Sequence, residues 1–198
     1  MIQSVGIFCG SSKGKSVAYE HAASEYARLL AEDRIRIIYG AGSTGIMGVI
    51  AESALQNSGY IIGVAPGFLN DKEVVHQGLS ELHIVEDMFE RKTLLMNLSD
   101  AFAILPGGIG TLDEFFEVFT ALQLEILEKP IGILNVEGYF DKLIDMLEHM
   151  VDEQFFRREH FESLVIDNQV DRFHQKLISH SPQKVDSWVE ELKKKNKF

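Results

Sequence analysis

The 198-residue sequence contains a single cysteine, Cys9, so no disulfide can form within the chain. Neither CxxC nor HxxxH spacing occurs and the seven histidines are scattered, so the common zinc-ligand patterns are missing and no metal is expected. The chain is also short of positive charge. Nineteen basic residues stand against thirty acidic ones, a net charge of -11. Such a balance disfavours nonspecific attraction to nucleic acid or to an anionic membrane, so an anionic ligand has to be captured locally. No apolar run approaches the roughly 18 residues of a membrane span. The first nine residues lack the basic start and longer apolar core of a secretory signal and alternate into a strand pattern. A cytoplasmic enzyme or binding protein is therefore expected, without nucleic-acid or membrane partners.

What is present is the pattern of an α/β domain. The hydrophobic and charged fractions, 45% and 25%, are ordinary for a chain long enough to bury one core. Short apolar runs occupy residues 5–9, 35–39, 60–65, 82–85, 101–105, 131–136 and, more weakly, 164–166. Helical patterns fall between them at residues 16–32, 45–57, 89–98, 111–127 and 139–154, with apolar positions recurring at three and four residues, as in Phe115, Val118, Phe119 and Leu122. This alternation predicts a doubly wound, mostly parallel sheet of about seven strands with helices on both faces. Residues 1–198 read as one such domain, with no linker or repeat and a helical tail over about 170–198. The tail's second helix is expected to start at Ser181-Pro182, and Lys193-Lys194-Lys195 suits the solvated carboxyl end of that helix.

Ligands of doubly wound folds bind beyond the carboxyl ends of the strands, so the loops there deserve separate reading. After the first strand, Gly10-Ser11-Ser12-Lys13-Gly14-Lys15-Ser16 looks like a phosphate-binding P-loop. The spacing fails, because the required leading glycine is Cys9. Ser11 and its neighbours still offer hydroxyls and amides. After the second strand, Gly40-Ala41-Gly42-Ser43-Thr44-Gly45 satisfies GxGxxG, yet the next strand runs into Pro66-Gly67 without the acid that would hold a ribose hydroxyl. A nicotinamide or flavin site is disfavoured, and tight turns with close helix packing account for these glycines.

The loop after the fifth strand, Pro106-Gly107-Gly108-Ile109-Gly110-Thr111-Leu112-Asp113-Glu114, carries more information. Three glycines admit a ligand close to the backbone, and amides at a helix start face an anion such as phosphate. Thr111 and Glu114 also stand in capping-box spacing, which would serve structure alone. A carboxylate beside an anion site makes sense for a bipolar substrate, with phosphate at one end and a carbon that becomes cationic at the other. Cleavage of an N-glycosidic bond passes through such an oxocarbenium-like ribose. A second cluster, Glu90-Arg91-Lys92, puts two cations near a helix start, against the dipole, as an anionic ligand would favour. Local ion pairs to Glu86 or Asp87 are the plain alternative.

Met88-Phe89-Glu90-Arg91-Lys92 with Met96, together with 106–114, resembles the Lonely Guy family of cytokinin-activating phosphoribohydrolases. The likeness covers roughly residues 4–155, including Phe8-Cys9-Gly10-Ser11-Ser12, Tyr39-Gly40-Ala41-Gly42, Gly45-Ile46-Met47-Gly48, Ser80-Glu81-Leu82, Lys129-Pro130-Ile131-Gly132 and Asn135-Val136-Glu137-Gly138-Tyr139-Phe140. It implies a Rossmann-like homodimer, without metal or redox cofactor, that hydrolyses a nucleoside 5′-monophosphate to free base and ribose 5-phosphate. By motif position Arg91 and Glu114 match the family's catalytic pair. Glu73, Lys92, the segment Gly108-Ile109-Gly110-Thr111-Leu112-Asp113-Glu114 and Thr120 match its substrate contacts, to which Gly107, Ser11 and Met88 are added here. Members are often labelled lysine decarboxylases, a reaction that would ordinarily need pyridoxal phosphate on a lysine, and no lysine stands in such a context. Phe89 occupies a position where His is usual, Ala41 replaces a glycine, and Ala121-Leu122-Gln123-Leu124-Glu125-Ile126-Leu127 departs from the usual Trp-Ala-Gln-Leu-Gly-Ile-His. A nucleotide-binding or carrier protein that keeps the fold without hydrolysis is the alternative.

Overall fold

The computed structural model describes residues 2–70 and 75–182. Seven parallel strands form one sheet in the order β4-β3-β2-β1-β5-β6-β7. They are β1 (Ser4–Phe8), β2 (Arg36–Tyr39), β3 (Ile61–Pro66), β4 (Glu81–Val85), β5 (Ala101–Ile104), β6 (Ile131–Leu134) and β7 (Leu164–Asp167). Helices connect them: α1 (Val17–Glu32), α2 (Gly45–Gln56), the short α3 (Gly67–Asn70), α4 (Met88–Leu98), α5 (Ile109–Gln123), α6 (Asp141–Asp152), the short α7 (Arg158–Glu162) and α8 (Val170–Ser179). The expected fold class is thus observed, with all six strand pairings of the sheet parallel and, among the described residues, one isolated antiparallel bridge between Gly42 and Val75 outside it.

The inner strands β1, β3, β5 and β6 are buried along their whole length, and β2 from Ile37 onward, because side chains alternate between two covered faces. Val5, Ile7, Ile37, Tyr39 and Ala103 pack with Tyr26 and Leu30 of α1, Ile50 of α2 and Phe173 of α8. The opposite set, Phe8, Ile38, Ile62, Phe102 and Ile104, packs with Leu95 of α4, Phe115 and Phe119 of α5 and Leu147 of α6. Each such fully buried aromatic or aliphatic side chain contributes about 1.5–3 kcal/mol of hydrophobic stabilisation.

Several boundaries differ by a residue or more from those the sequence predicts, and three of them bear on α5 and the segment before α6. Helix α5 begins at Ile109 rather than Thr111, because Gly108 takes an extended conformation as its N-cap. Thr111 therefore lies inside the helix, and the Thr111/Glu114 capping box does not form. The same helix stops at Gln123 rather than Leu127, where Glu125 turns left-handed at φ 58°. A 3-10 turn, Val136–Gly138, precedes α6, so the helix expected from Tyr139 starts at Asp141. Helix α8 ends at Ser179, and the further tail helix with its three lysines lies outside the described residues.

Strand succession runs from β1 toward β4, then returns to the other side of β1 with β5. This reversal opens a crevice beyond the carboxyl ends of β1 and β5. The two loops there are tied by the Gly10 amide, which donates to the Pro106 carbonyl at 3.1 Å.

Candidate active site

Helix α4 supplies the cation. Asp87 caps it, accepting from the Phe89 and Glu90 amides at 2.8 Å, while the Glu90 carboxylate accepts from the Glu86 amide at 2.8 Å. These acids satisfy the helix terminus, so Arg91 does not pair with Glu86 or Asp87, which corrects that local alternative. Its guanidinium instead enters the sheet's carboxyl-terminal end, with only 8% of the residue exposed. Nε donates to the Val64 carbonyl at 3.1 Å and Nη1 to Glu114 Oε1 at 2.9 Å. Gly40 makes this possible, since a Cβ there would stand 2.0 Å from Arg91 Nη2. The glycine following β2 therefore has a use beyond the turn that sequence reading assigns it.

Helix α5 supplies the carboxylate and the orphan donors. An N-cap glycine has no side chain to satisfy the first-turn amides, which lack intrahelical partners and carry the positive end of the dipole. Gly108, Ile109, Gly110 and Thr111 border a cleft of about 270 Å³. Glu114, one turn on, reaches its floor beside Arg91. Burial pushes the Glu114 carboxyl up from the ordinary glutamate value. The Arg91 charge and hydrogen bond oppose that rise without cancelling it. Beneath the pair, burial and the Glu114 charge push the Cys9 thiol up, which keeps it neutral.

Most of the residues singled out from sequence converge on this cleft. Ser11, Met88 and Asp113 border it together with Arg91, Glu114 and the start of α5. Leu112 points partly into the core against Phe115 and its neighbours. Gly107 borders an adjoining hollow instead. Lys92 is held at 3.3 Å by Asp113 and at 3.0 Å by Glu117, outside the cleft lining. Thr120 lies exposed on α5, away from the cleft. Glu73 falls outside the described residues. Sequence reading missed Gly40 as the seat of Arg91 and the Val64 carbonyl, and gave Cys9 and Met47 no place in the lining; the GxGxxG glycines and the family motifs that contain Cys9 and Met47 were the available signals. Among the described residues no three His, Cys, Asp or Glu side chains gather as a metal site requires.

Fold and site together define a doubly wound α/β protein with a desolvated guanidinium-carboxylate pair beneath an open helix amino terminus. The family described as possible lysine decarboxylase matches residues 47–177. The cytokinin riboside 5′-monophosphate phosphoribohydrolase LOG5 of Arabidopsis thaliana is 38% identical over 178 residues, covering 90% of this chain and 78% of that protein. The cytokinin riboside 5′-monophosphate phosphoribohydrolase of Rhodococcoides fascians is 42% identical over 154 residues, 77% of this chain and 78% of its own. The chain belongs to this family of phosphoribohydrolase relatives. Among solved structures, the molybdenum cofactor binding protein of Rippkaea orientalis shares the fold at a TM-score of 0.67 and 17% identity, covering 90% of this chain and 96% of that one. The Moco carrier protein of Chlamydomonas reinhardtii does so at 0.65 and 16%, covering 90% and 99%.

Proposed function

We propose that this protein hydrolyses the N-glycosidic bond of a purine nucleoside 5′-monophosphate, N6-substituted (cytokinin-type) nucleotides included, releasing the free base and ribose 5-phosphate. The observation that carries the reading is the buried Arg91-Glu114 pair within one helical turn of uncapped amides. Those amides, from Gly108 to Thr111, suit the phosphate. Water adds to the anomeric carbon as the bond to the base breaks; the bonding electrons leave on the base, which takes up a proton. Glu114 stabilises the cationic ribose and accepts the proton of the attacking water, and a carboxyl pushed upward is a better base than an ordinary glutamate. Arg91 fixes the carboxylate and orients the substrate. Lys92 contributes positive potential near the phosphate from its place between Asp113 and Glu117.

The test incubates the protein with AMP and with an N6-substituted AMP and follows free base by chromatography. Base release by the wild type is expected, and nucleotide binding without turnover would favour the carrier alternative.

The reading places the reaction in the cytoplasm and extends to a homodimer. Phe89, Phe116, Leu124 and Ile126 are exposed on α4, on α5 and just beyond it, and an apolar face of this kind suits a second copy. Residues 121–127 lie at the far end of α5 from the cleft, so their departure from the family pattern bears on such a contact. Thr120 would meet substrate only if that neighbour brought a cleft to it. A monomer mass by light scattering at micromolar concentration removes the dimer.

A further inference from the structure

The loop that carries the phosphate-facing amides contains two consecutive glycines, Gly107 and Gly108, and nothing in a glycine pair opposes rotation of the peptide between them. Gly108 sits at φ -94° and ψ -153°. Turning its preceding peptide over would bring φ to about +86°, which glycine accepts as readily. Such a flip would turn a carbonyl oxygen toward the ligand in place of an N–H. Some other group has to select the orientation.

We propose that Tyr139 is a positioning residue that locks the Gly107-Gly108 peptide with its N–H toward the cleft. The Tyr139 hydroxyl donates to the Gly107 carbonyl at 2.5 Å. Gly107 and Tyr139 border a hollow of about 220 Å³ that adjoins the cleft and are absent from the cleft's own lining, whereas Gly108 borders both spaces. In a trans peptide C=O and N–H point in opposite directions, and no peptide among the described residues is cis. Holding the Gly107 oxygen toward Tyr139 therefore turns the Gly108 N–H away from that side chain, and of the two spaces that Gly108 borders the cleft is the one Tyr139 does not line.

The segment that delivers Tyr139 is built for placement. Glu137 and Gly138 adopt left-handed conformations in succession, at φ 50° and 69°. The Asn135 side chain then closes the turn, accepting from the Phe140 amide and donating to Asp141, both at 2.7 Å. The Tyr139 ring rests edge-on against Tyr19 at 5.5 Å and against Phe140 at 4.9 Å. Those ring contacts survive removal of the hydroxyl, so Tyr139→Phe isolates the hydrogen bond.

The inference rests on the cleft as a phosphate-ester site, and its test reads binding as well as turnover. Calorimetry with AMP, ribose 5-phosphate and adenosine is run on the wild type and on Tyr139→Phe. The variant is expected to bind AMP and ribose 5-phosphate about tenfold more weakly and adenosine equally well. Its KM for AMP rises by the same factor while kcat changes less than twofold. In the Gly108→Ala background, where a Cβ meets nothing within 4 Å and alanine disfavours the positive φ of the flipped peptide, the same Tyr139→Phe change costs less than twofold. Unchanged affinity for the two phosphate esters overturns the role of Tyr139, as does an equal loss for all three ligands accompanied by a lower thermal midpoint. Phosphate-dependent binding by a wild type that never releases base overturns the hydrolase reading alone, and a wild type that binds no phosphate ester overturns both.

Discussion

Arg91 and Lys92 are consecutive on α4, and each meets carboxylates of α5, Arg91 on Glu114 and Lys92 on Asp113 and Glu117. Their surroundings separate them. The Arg91 and Glu114 side chains are 10% and 12% exposed, whereas Lys92 is 19% exposed and its partners Glu117 and Asp113 are 30% and 58% exposed. One residue of helical rotation sends Arg91 under the carboxyl ends of β2 and β3, where Gly40 leaves room and the Val64 carbonyl accepts, and leaves Lys92 along the rim. Charge interactions strengthen where water is excluded, and a buried pair is costly to break because the remaining partner is left without compensation. The identical pairing of signs thus yields a desolvated pair, the proposed reactive centre, in one place and a more exposed tether in the other.

The comparison breaks most sharply at Glu114. Glu114→Gln keeps the shape and an acceptor for Arg91 but cannot take a proton, so kcat should fall about 10³-fold while nucleotide binding persists. Equal turnover by variant and wild type would remove Glu114 from the chemistry. Because the folded carboxyl is raised above 4.5, the acid limb of kcat/KM should lie above that value. Arg91→Met withdraws the opposing positive charge and should move the limb further up. Stability runs with the opposite sign. A carboxyl whose folded pKa is raised stabilises the fold below its unfolded value of about 4.5 and loses that contribution as pH rises through the folded value. The melting point of the wild type relative to Glu114→Gln should therefore decline as the pH rises from 4.5 toward 7, whatever the loss of the Arg91 partner costs; an advantage of the wild type that widens over that range contradicts the direction of the shift.

The next effect comes from a residue that carries no charge. Gly40→Ala would place a methyl 2.0 Å from Arg91 Nη2, so the guanidinium has to leave its seat while every charged residue remains. A loss of about 10- to 100-fold in kcat/KM is expected from this misplacement. Near-normal kinetics would show that Arg91 tolerates displacement and that burial does not set it apart from Lys92.

The inner strands were legible because strands covered on both faces read as continuous apolar runs, and the edge strand β4, exposed over most of its length, still falls on one of the short apolar runs. The cleft was legible at 106–114 and at Arg91, where glycines and charges cluster along the chain. What stayed hidden depends on contacts between distant segments. Gly40, Val64, Arg91 and Glu114 span 75 positions and meet only because parallel pairing sets the ends of β3, β2, β1 and β5 side by side. The capping box was a local reading that a tertiary one overrode, since Gly108 starts α5 earlier and Glu114 turns to Arg91. Likewise the partners of Lys92 lie on α5, beyond the reach of a pattern read along α4.

Lys92→Gln should have the smallest effect, which sharpens the comparison from its other side. Its partners are two carboxylates at the rim, and such pairs contribute about 0.2–1 kcal/mol each at most. The thermal midpoint should hardly move. Removing a positive charge near the phosphate should raise KM about threefold without altering kcat, because the group acts on bound substrate and transition state alike. That increase should shrink as salt approaches about 1 M, where screening extends over only about 3 Å, whereas the Glu114→Gln defect, arising inside the cleft, should persist. Kinetics in 0.05 M and 1 M salt separate the two. If the Lys92→Gln defect resided in kcat and ignored salt, Lys92 would belong with Arg91 in the reacting centre, and the division along α4 would fail.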